Sequence, residues 1–173
     1  SRYSLARTDY NSPVDIDLDL LASHSNDNPV YYVQYAHARS CNVDRNAAAA
    51  NITREDADLS LLDTEADGEV LALLAQWPAA LAQAGDMRAP HRIAHYLEDL
   101  AAAYHKWYNV ERVVPVALTE PEERADEATR EATRIAKCPE PARSAARLRL
   151  NDAVQTVIAA GLDLLGVTAP DKM

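Results

Sequence analysis

Two tyrosine–arginine pairs are the residues of this 173-residue chain best placed to take part in chemistry. Tyr35 and Arg39 are four positions apart, as are Tyr108 and Arg112, so each pair shares one face of a helix. An unpaired nucleobase stacks on an aromatic ring for roughly 1–3 kcal/mol, and a neighbouring guanidinium adds a cation–π or phosphate contact. The pairs are therefore candidates for binding single-stranded nucleic acid. By spacing alone, the commoner outcome is rings packed between helices and arginines paired with acids.

The histidines and cysteines do not form a recognisable catalytic or metal-binding pattern. His91 and His95 have helical spacing, but the glutamate of the zinc-protease motif is missing between them, and no third ligand is indicated. No nucleophile is paired with His37, which we expect to bond to a neighbouring segment. Cys41 and Cys138 are not spaced as a redox or metal pair. We predict no catalytic residue, no metal and no cofactor within this chain.

Composition excludes several classes of protein. The chain has only four glycines, and no glycine-rich phosphate-binding loop of the P-loop or dinucleotide type can be written anywhere in it, which excludes most nucleotide-binding enzymes. No stretch approaches the roughly 18 consecutive apolar residues that cross a membrane, and the first eleven residues are too polar for a signal peptide. We expect a cytoplasmic monomer with no membrane partner.

The net charge of −10 is unevenly distributed. Segment 55–86 holds eight acids and no lysine or arginine, whereas segments 29–54, 87–118 and 143–173 each carry a small positive excess. The first two of these positive segments also contain six of the eight tyrosines. A surface built from all three positive segments could meet a phosphate backbone despite the acidic total. Alternatively, the acids serve solubility and the positive excess has no function.

Helix-forming residues dominate the chain, with alanine runs at 47–50 and 101–103. We predict an all-α fold, a helical bundle of about five main helices. A turn sequence that ends at Pro29 predicts the start of a long helix over about 29–49. The alternating residues 14–20 fit a half-buried strand or a short helix equally well, and both remain open.

Prolines divide the remainder of the chain into helices. A second helix should end at Pro78, because the proline ring disfavours helix at the preceding residue, and a short helix over about 79–85 should follow. Pro90 begins the most clearly amphipathic helix, which should end near Pro115, and the last helix covers about 143–165. The residues predicted to face the core in these last two helices are Ile93, Leu97, Leu100, Tyr104, Trp107, Leu148, Val154, Val157, Ile158 and Leu162.

Residues 119–142 differ from the rest in composition. They contain seven acids and four bases, and between their prolines almost every side chain is charged, small or polar. This pattern is typical of a solvated helical excursion from the core. We divide the chain into a leader over 1–27 and a helical domain over 28–173, within which 119–142 is a charged insertion.

At residues 28–39, 96–113 and 161–173 the sequence resembles motifs of bacterial arginyl-tRNA synthetases. Residues 28–39, NPVYYVQYAHAR, are similar to the helix that opens the C-terminal anticodon-binding (DALR-type) domain of that family. Residues 96–113 resemble its next conserved helix, and residues 161–173 resemble its ending, with Met173 at the terminal methionine. The leader is similar to the segment that follows the catalytic domain. The HIGH-like and KMSK-like catalytic signatures of the family are absent here, so the resemblance implies an inactive fragment of an arginine–tRNA ligase.

The resemblance also implies partners and roles. The partners would be the anticodon loop of arginine tRNA and the catalytic domain of the same polypeptide, and the full-length enzyme would use ATP with magnesium to attach arginine. A helical protein-interaction module that has kept the fold without RNA binding is the alternative. The anticodon-binding residues implied by matching positions are Tyr35, Arg39, Tyr108 and Met173, with Arg112 and His105 as further candidates.

Overall fold

The computed structural model describes residues 2–13, 17–23, 25, 27–55, 57–116 and 118–173. These residues form eight α-helices and one 3-10 turn, with no strand among them, which confirms the all-α prediction. The elements are α1 (Arg2–Arg7), α2 (Leu18–Ala22), α3 (Pro29–Ala49), the 3-10 turn (Leu59–Leu61), α4 (Glu65–Asp86), α5 (His91–Val110), α6 (Glu120–Glu123), α7 (Glu127–Lys137) and α8 (Pro141–Leu164). None of the described helices is long and apolar enough to cross a membrane.

The core is built around α5, which packs against α1, α3, α4 and α8. Its predicted apolar stripe is buried, and so are the residues of α8 predicted to face inward, except Val157, which is partly buried. Helix α3 packs against both α8 and α5, so side chains on α3 can contact either helix. The large apolar side chains with almost no exposure are Val33, Val70, Leu97, Leu100, Tyr104, Trp107, Leu148, Val154, Ile158 and Leu162.

The predicted end of the second helix at Pro78 is wrong. Helix α4 continues through this proline to Asp86 and absorbs the separate short helix predicted over 79–85. Proline inside a helix costs about 3 kcal/mol. Here α4 is held along its length by packing on α5, including a contact of 5.2 Å between the ring centroids of Trp77 and Tyr96. The Tyr96 hydroxyl also donates a 2.9 Å hydrogen bond to the Leu73 carbonyl, one turn before the proline. Tertiary packing therefore outweighs the local penalty.

Other boundaries follow local capping. The long helix over 29–49 is confirmed, and the described part of 14–20 is helical, with Asp17 capping α2; residues 14–16 lie outside the described residues. Helix α4 begins only after Thr64, which forms a capping box with Asp67. Helix α5 ends at Val110, before the predicted limit near Pro115.

Residues 119–142 form α6, α7 and the start of α8. Helices α6 and α7 pack mainly on each other, and the segment is largely exposed, as its composition predicts. The two ends of the excursion meet, because the Val116 amide donates to the Lys137 carbonyl at 2.9 Å and the Lys137 ammonium pairs with Glu122 at 2.5 Å. That this segment is an insertion remains a prediction.

The end of α8 redirects the chain towards α3. Gly166 has φ +66, and the amides of Gly166 and Val167 donate to the carbonyls of Asp163 and Leu162, which together form a Schellman motif. A side chain at position 166 would be strained in this left-handed conformation. The reversal brings residues 167–173 back along α3, where the candidate functional residues lie.

Candidate nucleic-acid interface

A guanidinium between two tyrosine rings is the centre of the candidate site. The Cζ atom of Arg39 lies 4.7 Å from the ring centroid of Tyr35, its neighbour on α3, and 4.4 Å from that of Tyr108 on α5. Both distances are within the range of a cation–π contact. Three of the residues predicted from the sequence therefore come together, and the cluster joins two helices.

Hydrogen bonds fix the orientation of Arg39. Its Nη2 donates to the Tyr35 hydroxyl at 3.0 Å, and its Nη1 donates to Nδ1 of His105 at 2.9 Å. The other ring nitrogen of His105, Nε2, donates to the Tyr32 carbonyl at 3.3 Å. This pattern requires a neutral imidazole that carries its proton on Nε2. Burial, the largest influence, and the nearby charge of Arg39 lower the pKa of His105 to about 4, against an opposing effect of the bond to Tyr32.

The cluster faces an open cavity of about 470 Å³. Its described lining includes three cationic side chains and no acidic one, in a chain whose net charge is −10. Met173, predicted from the resemblance, reaches this cavity from the C-terminal tail and is 52% exposed. The lining residues are Tyr35, Ala38, Arg39, Asn42, Arg45, Tyr108, Lys172 and Met173.

Arg112 lies apart from this cluster. Arg112 lies just past the end of α5, and its Nη1 donates to the carbonyls of Tyr108, Asn109 and Glu111 at 3.1–3.4 Å, so the guanidinium satisfies the C-terminal end of that helix. The Tyr108 ring is paired with Arg39 from α3 instead. Arg112 and Tyr108 also line a second cavity, of about 510 Å³, which extends towards Lys137.

His105 has a different position from the other predicted residues. Its side chain is only 8% exposed and lies beneath the rings, with 5.5 Å between its ring centroid and that of Tyr35. It is not among the residues that line the cavity. In this position it can orient Arg39 but has little surface to offer a ligand.

Sequence reasoning missed four of the lining residues, the small Ala38 and three polar ones. Asn42 and Arg45 lie seven and ten positions after Tyr35, so helical periodicity on α3 could have identified them. Lys172 approaches from the tail, and no local signal connects it with α3. These residues add two cations and an amide to the predicted set.

The sequence also gave no sign of a histidine–cysteine–aspartate cluster beside the cavity. His37, Cys41 and Asp171 place a nitrogen, a sulfur and an oxygen within 4.8 Å of one another, and these are ligand types that zinc accepts. The same atoms are engaged in hydrogen bonds: His37 Nδ1 donates to the Pro170 carbonyl at 2.9 Å, and the Cys41 thiol donates to Asp171 at 3.7 Å. Burial and the Asp171 carboxylate raise the pKa of Cys41, which favours the protonated thiol.

Comparison with known proteins identifies the family. Residues 33–173 match the DALR anticodon binding domain. The chain belongs to this family. The matched range contains every candidate residue of the cavity. The whole chain also aligns, at 88% identity, with the arginine–tRNA ligase of Bifidobacterium animalis subsp. lactis, and at 51% identity with that of Kineococcus radiotolerans.

The chain spans 29% and 28% of the lengths of these two ligases. Among solved structures, it is similar to the Thermus thermophilus arginyl-tRNA synthetase, with a TM-score of 0.67 and 29% identity, over 99% of this chain and 26% of that one. The helical arrangement described above is therefore shared with a synthetase structure.

Proposed function

We propose that this DALR domain binds the anticodon loop of arginine tRNA and thereby supports arginine attachment by a full-length arginine–tRNA ligase. The observation that carries the proposal is the Arg39 guanidinium held between Tyr35 and Tyr108 at the edge of a cation-lined cavity. Family membership and the arginine–tRNA ligases that align with the whole chain support it.

The geometry suits an unpaired loop. Tyr35 and Tyr108 are partly exposed and offer ring surface on which a splayed base can stack. Arg45 and Lys172 are exposed and can pair with loop phosphates, while the thioether of Met173 offers an adaptable apolar contact. Arg39 is already oriented by two hydrogen bonds, so little side-chain entropy is lost when the loop binds.

Cofactor binding and catalysis are assigned to other parts of the full-length protein. The four glycines of this chain form no phosphate-binding loop, so we place ATP and magnesium in a catalytic domain of the same polypeptide. In this proposal the chain supplies no catalytic residue and acts as a cytoplasmic monomeric module that positions the tRNA.

Fluorescence anisotropy with a labelled anticodon stem-loop of arginine tRNA tests the proposal. Loss of one stacking ring removes roughly 1–3 kcal/mol, so Tyr35→Ala should weaken binding about 5- to 150-fold. Tyr35→Phe keeps the ring and should bind almost normally. Tyr10→Ala is the matched control, because Tyr10 is 91% exposed and does not line the cavity.

A second loop, altered at the central anticodon base, separates base recognition from charge attraction. With up to three phosphate contacts, the logarithm of the binding constant should fall with the logarithm of salt concentration with a slope of about −2. Equal, salt-sensitive binding of both loops would contradict base recognition. Failure to bind either loop, or loop binding that Tyr35→Ala does not weaken, would contradict the proposal and favour the protein-interaction module.

A further inference from the structure

One stripe of α3 holds the C-terminal tail by its backbone. Gln34, His37, Cys41 and Arg45 follow one another at intervals of three, four and four residues, so they form a single line along the helix. The stripe lies beside the line of Tyr35, Arg39 and Asn42 that faces the cavity. We call these four residues the tail clasp.

The clasp binds carbonyl groups in the order of the tail. Gln34 Nε2 donates to the Thr168 carbonyl at 2.7 Å, and His37 Nδ1 donates to the Pro170 carbonyl at 2.9 Å. Arg45 Nη1 donates to the Asp171 carbonyl at 3.2 Å. The Cys41 thiol adds a weaker bond to the Asp171 carboxylate. Because the main bonds go to the backbone, the clasp fixes the path of the tail whatever its side chains are.

The end of this path is the cavity. Residues 172 and 173 follow directly after the last clasped carbonyl, and both side chains line the cavity with Tyr35, Arg39 and Tyr108. An unheld tail of this length would have to be ordered when the loop binds, at a cost of roughly 1–2 kcal/mol for each backbone residue. A tail that is already held avoids that cost.

We propose that the tail clasp is a positioning device for anticodon-loop binding, which sets Lys172 and Met173 at the cavity before the RNA arrives. This inference rests on the proposed function. Gln34 and His37 act through the tail in this account and do not touch the RNA. Arg45 belongs to both the clasp and the cavity lining, so it is unsuitable for a test.

Tail order can be measured without RNA. The chain has two methionines, Met173 in the tail and Met87 after α4, which is 60% exposed. In the NMR spectrum of a chain labelled at the methionine methyl groups, Gln34→Ala should reduce the line width of the Met173 methyl resonance. The substitution should also move its chemical shift towards that of an unfolded chain, while the Met87 resonance stays unchanged as the internal reference. Gln76→Ala, at an exposed glutamine of α4, is the matched control and should move neither resonance.

Loop binding then tests the function of the clasp in a double-mutant cycle. One net hydrogen bond corresponds to a change of about 2- to 10-fold in affinity, which is the weakening expected for Gln34→Ala. In a chain truncated after Val167, the same substitution should have no further effect, because its only route to the RNA is the tail. His37→Ala should behave like Gln34→Ala, and His37→Asn should restore binding, since an asparagine amide can replace Nδ1 as donor.

Three results would overturn the inference. The first is a Met173 resonance that does not respond to Gln34→Ala, and the second is an equal loss of affinity in the full and truncated chains. The third is normal loop binding with a released tail. If the unaltered chain binds no loop, the proposed function fails, and the methyl spectrum still reports whether the clasp holds the tail.

Discussion

Protonation of His105 should destabilise this protein over a defined pH range. The imidazole is 8% exposed and accepts a hydrogen bond from Arg39, and its pKa is lowered to about 4. In the unfolded chain the pKa is close to 6.5. Between these values the unfolded chain binds the additional proton, so the free energy of unfolding falls as the pH is lowered. Above pH 6.5 the imidazole is neutral in both the folded and the unfolded chain, and this loss of stability is absent.

The magnitude follows from the difference between the two pKa values. Each unit corresponds to 1.36 kcal/mol, so a difference of about 2.5 units gives a loss of about 3 kcal/mol by pH 4. The charged group that faces the imidazole is Arg39, and the other contacts to its ring are made by the aromatic rings of Tyr32, Tyr35 and Tyr104. A proton on Nδ1 would also remove the acceptor for Arg39.

Urea unfolding between pH 7 and pH 4 measures the effect when His105→Gln is the reference. Glutamine can accept from Arg39 and donate to the Tyr32 carbonyl, and it does not titrate. Carboxylates contribute to both chains alike, so the difference between their unfolding free energies isolates His105. Between pH 7 and pH 4, the free energy of unfolding of the unaltered chain should fall by about 3 kcal/mol relative to that of the variant. An NMR titration of the imidazole that gives a pKa near 6.5, or identical pH profiles for the two chains, would refute the reasoning.

Two further substitutions and one deletion test the packing. Gly161→Ala should destabilise the chain by about 1–3 kcal/mol in urea unfolding, because the added Cβ would lie 2.6 Å from the buried Leu97 side chain; an unchanged midpoint would show that Leu97 adjusts freely. Asp67→Ala should cost about 3 kcal/mol in the same assay, because the fully buried carboxylate accepts from Trp107 Nε1 at 2.8 Å. Replacing 119–136 by a short glycine linker should change the stability by less than about 1 kcal/mol, since the excursion packs mainly on itself; a large fall in melting temperature would show that it supports the core.

Local signals in the sequence were sufficient for most of the helices. The long helix over 29–49 follows from its proline start and the lack of any breaker, and the buried stripe of α5 follows from its periodicity. Each of these features depends on residues within one or two turns of each other. The motif of residues 28–39 indicated the family for the same reason, since it lies on one continuous helix.

Pro78 shows where local reasoning fails. The proline penalty is a property of the helix alone, whereas the contacts that keep α4 continuous come from α5. The tyrosine–arginine pairs differ from each other for a similar reason. Tyr35 and Arg39 meet as their spacing predicts, but Tyr108 pairs with Arg39 because α3 and α5 pack together. Because α5 ends at Val110, Arg112 lies past the helix and bonds to the carbonyls at its end.

The sequence by itself therefore determined the helical class, the start of α3, the buried face of α5 and the chemical types of the candidate site. Only the tertiary structure decided which arginine faces which ring, that His105 is neutral beneath them, and that the tail returns to the cavity. The physical reason is the separation along the chain. Arg39 and His105 are 66 positions apart, and His37 and Pro170 are 133 apart, so their contacts depend on how whole helices pack.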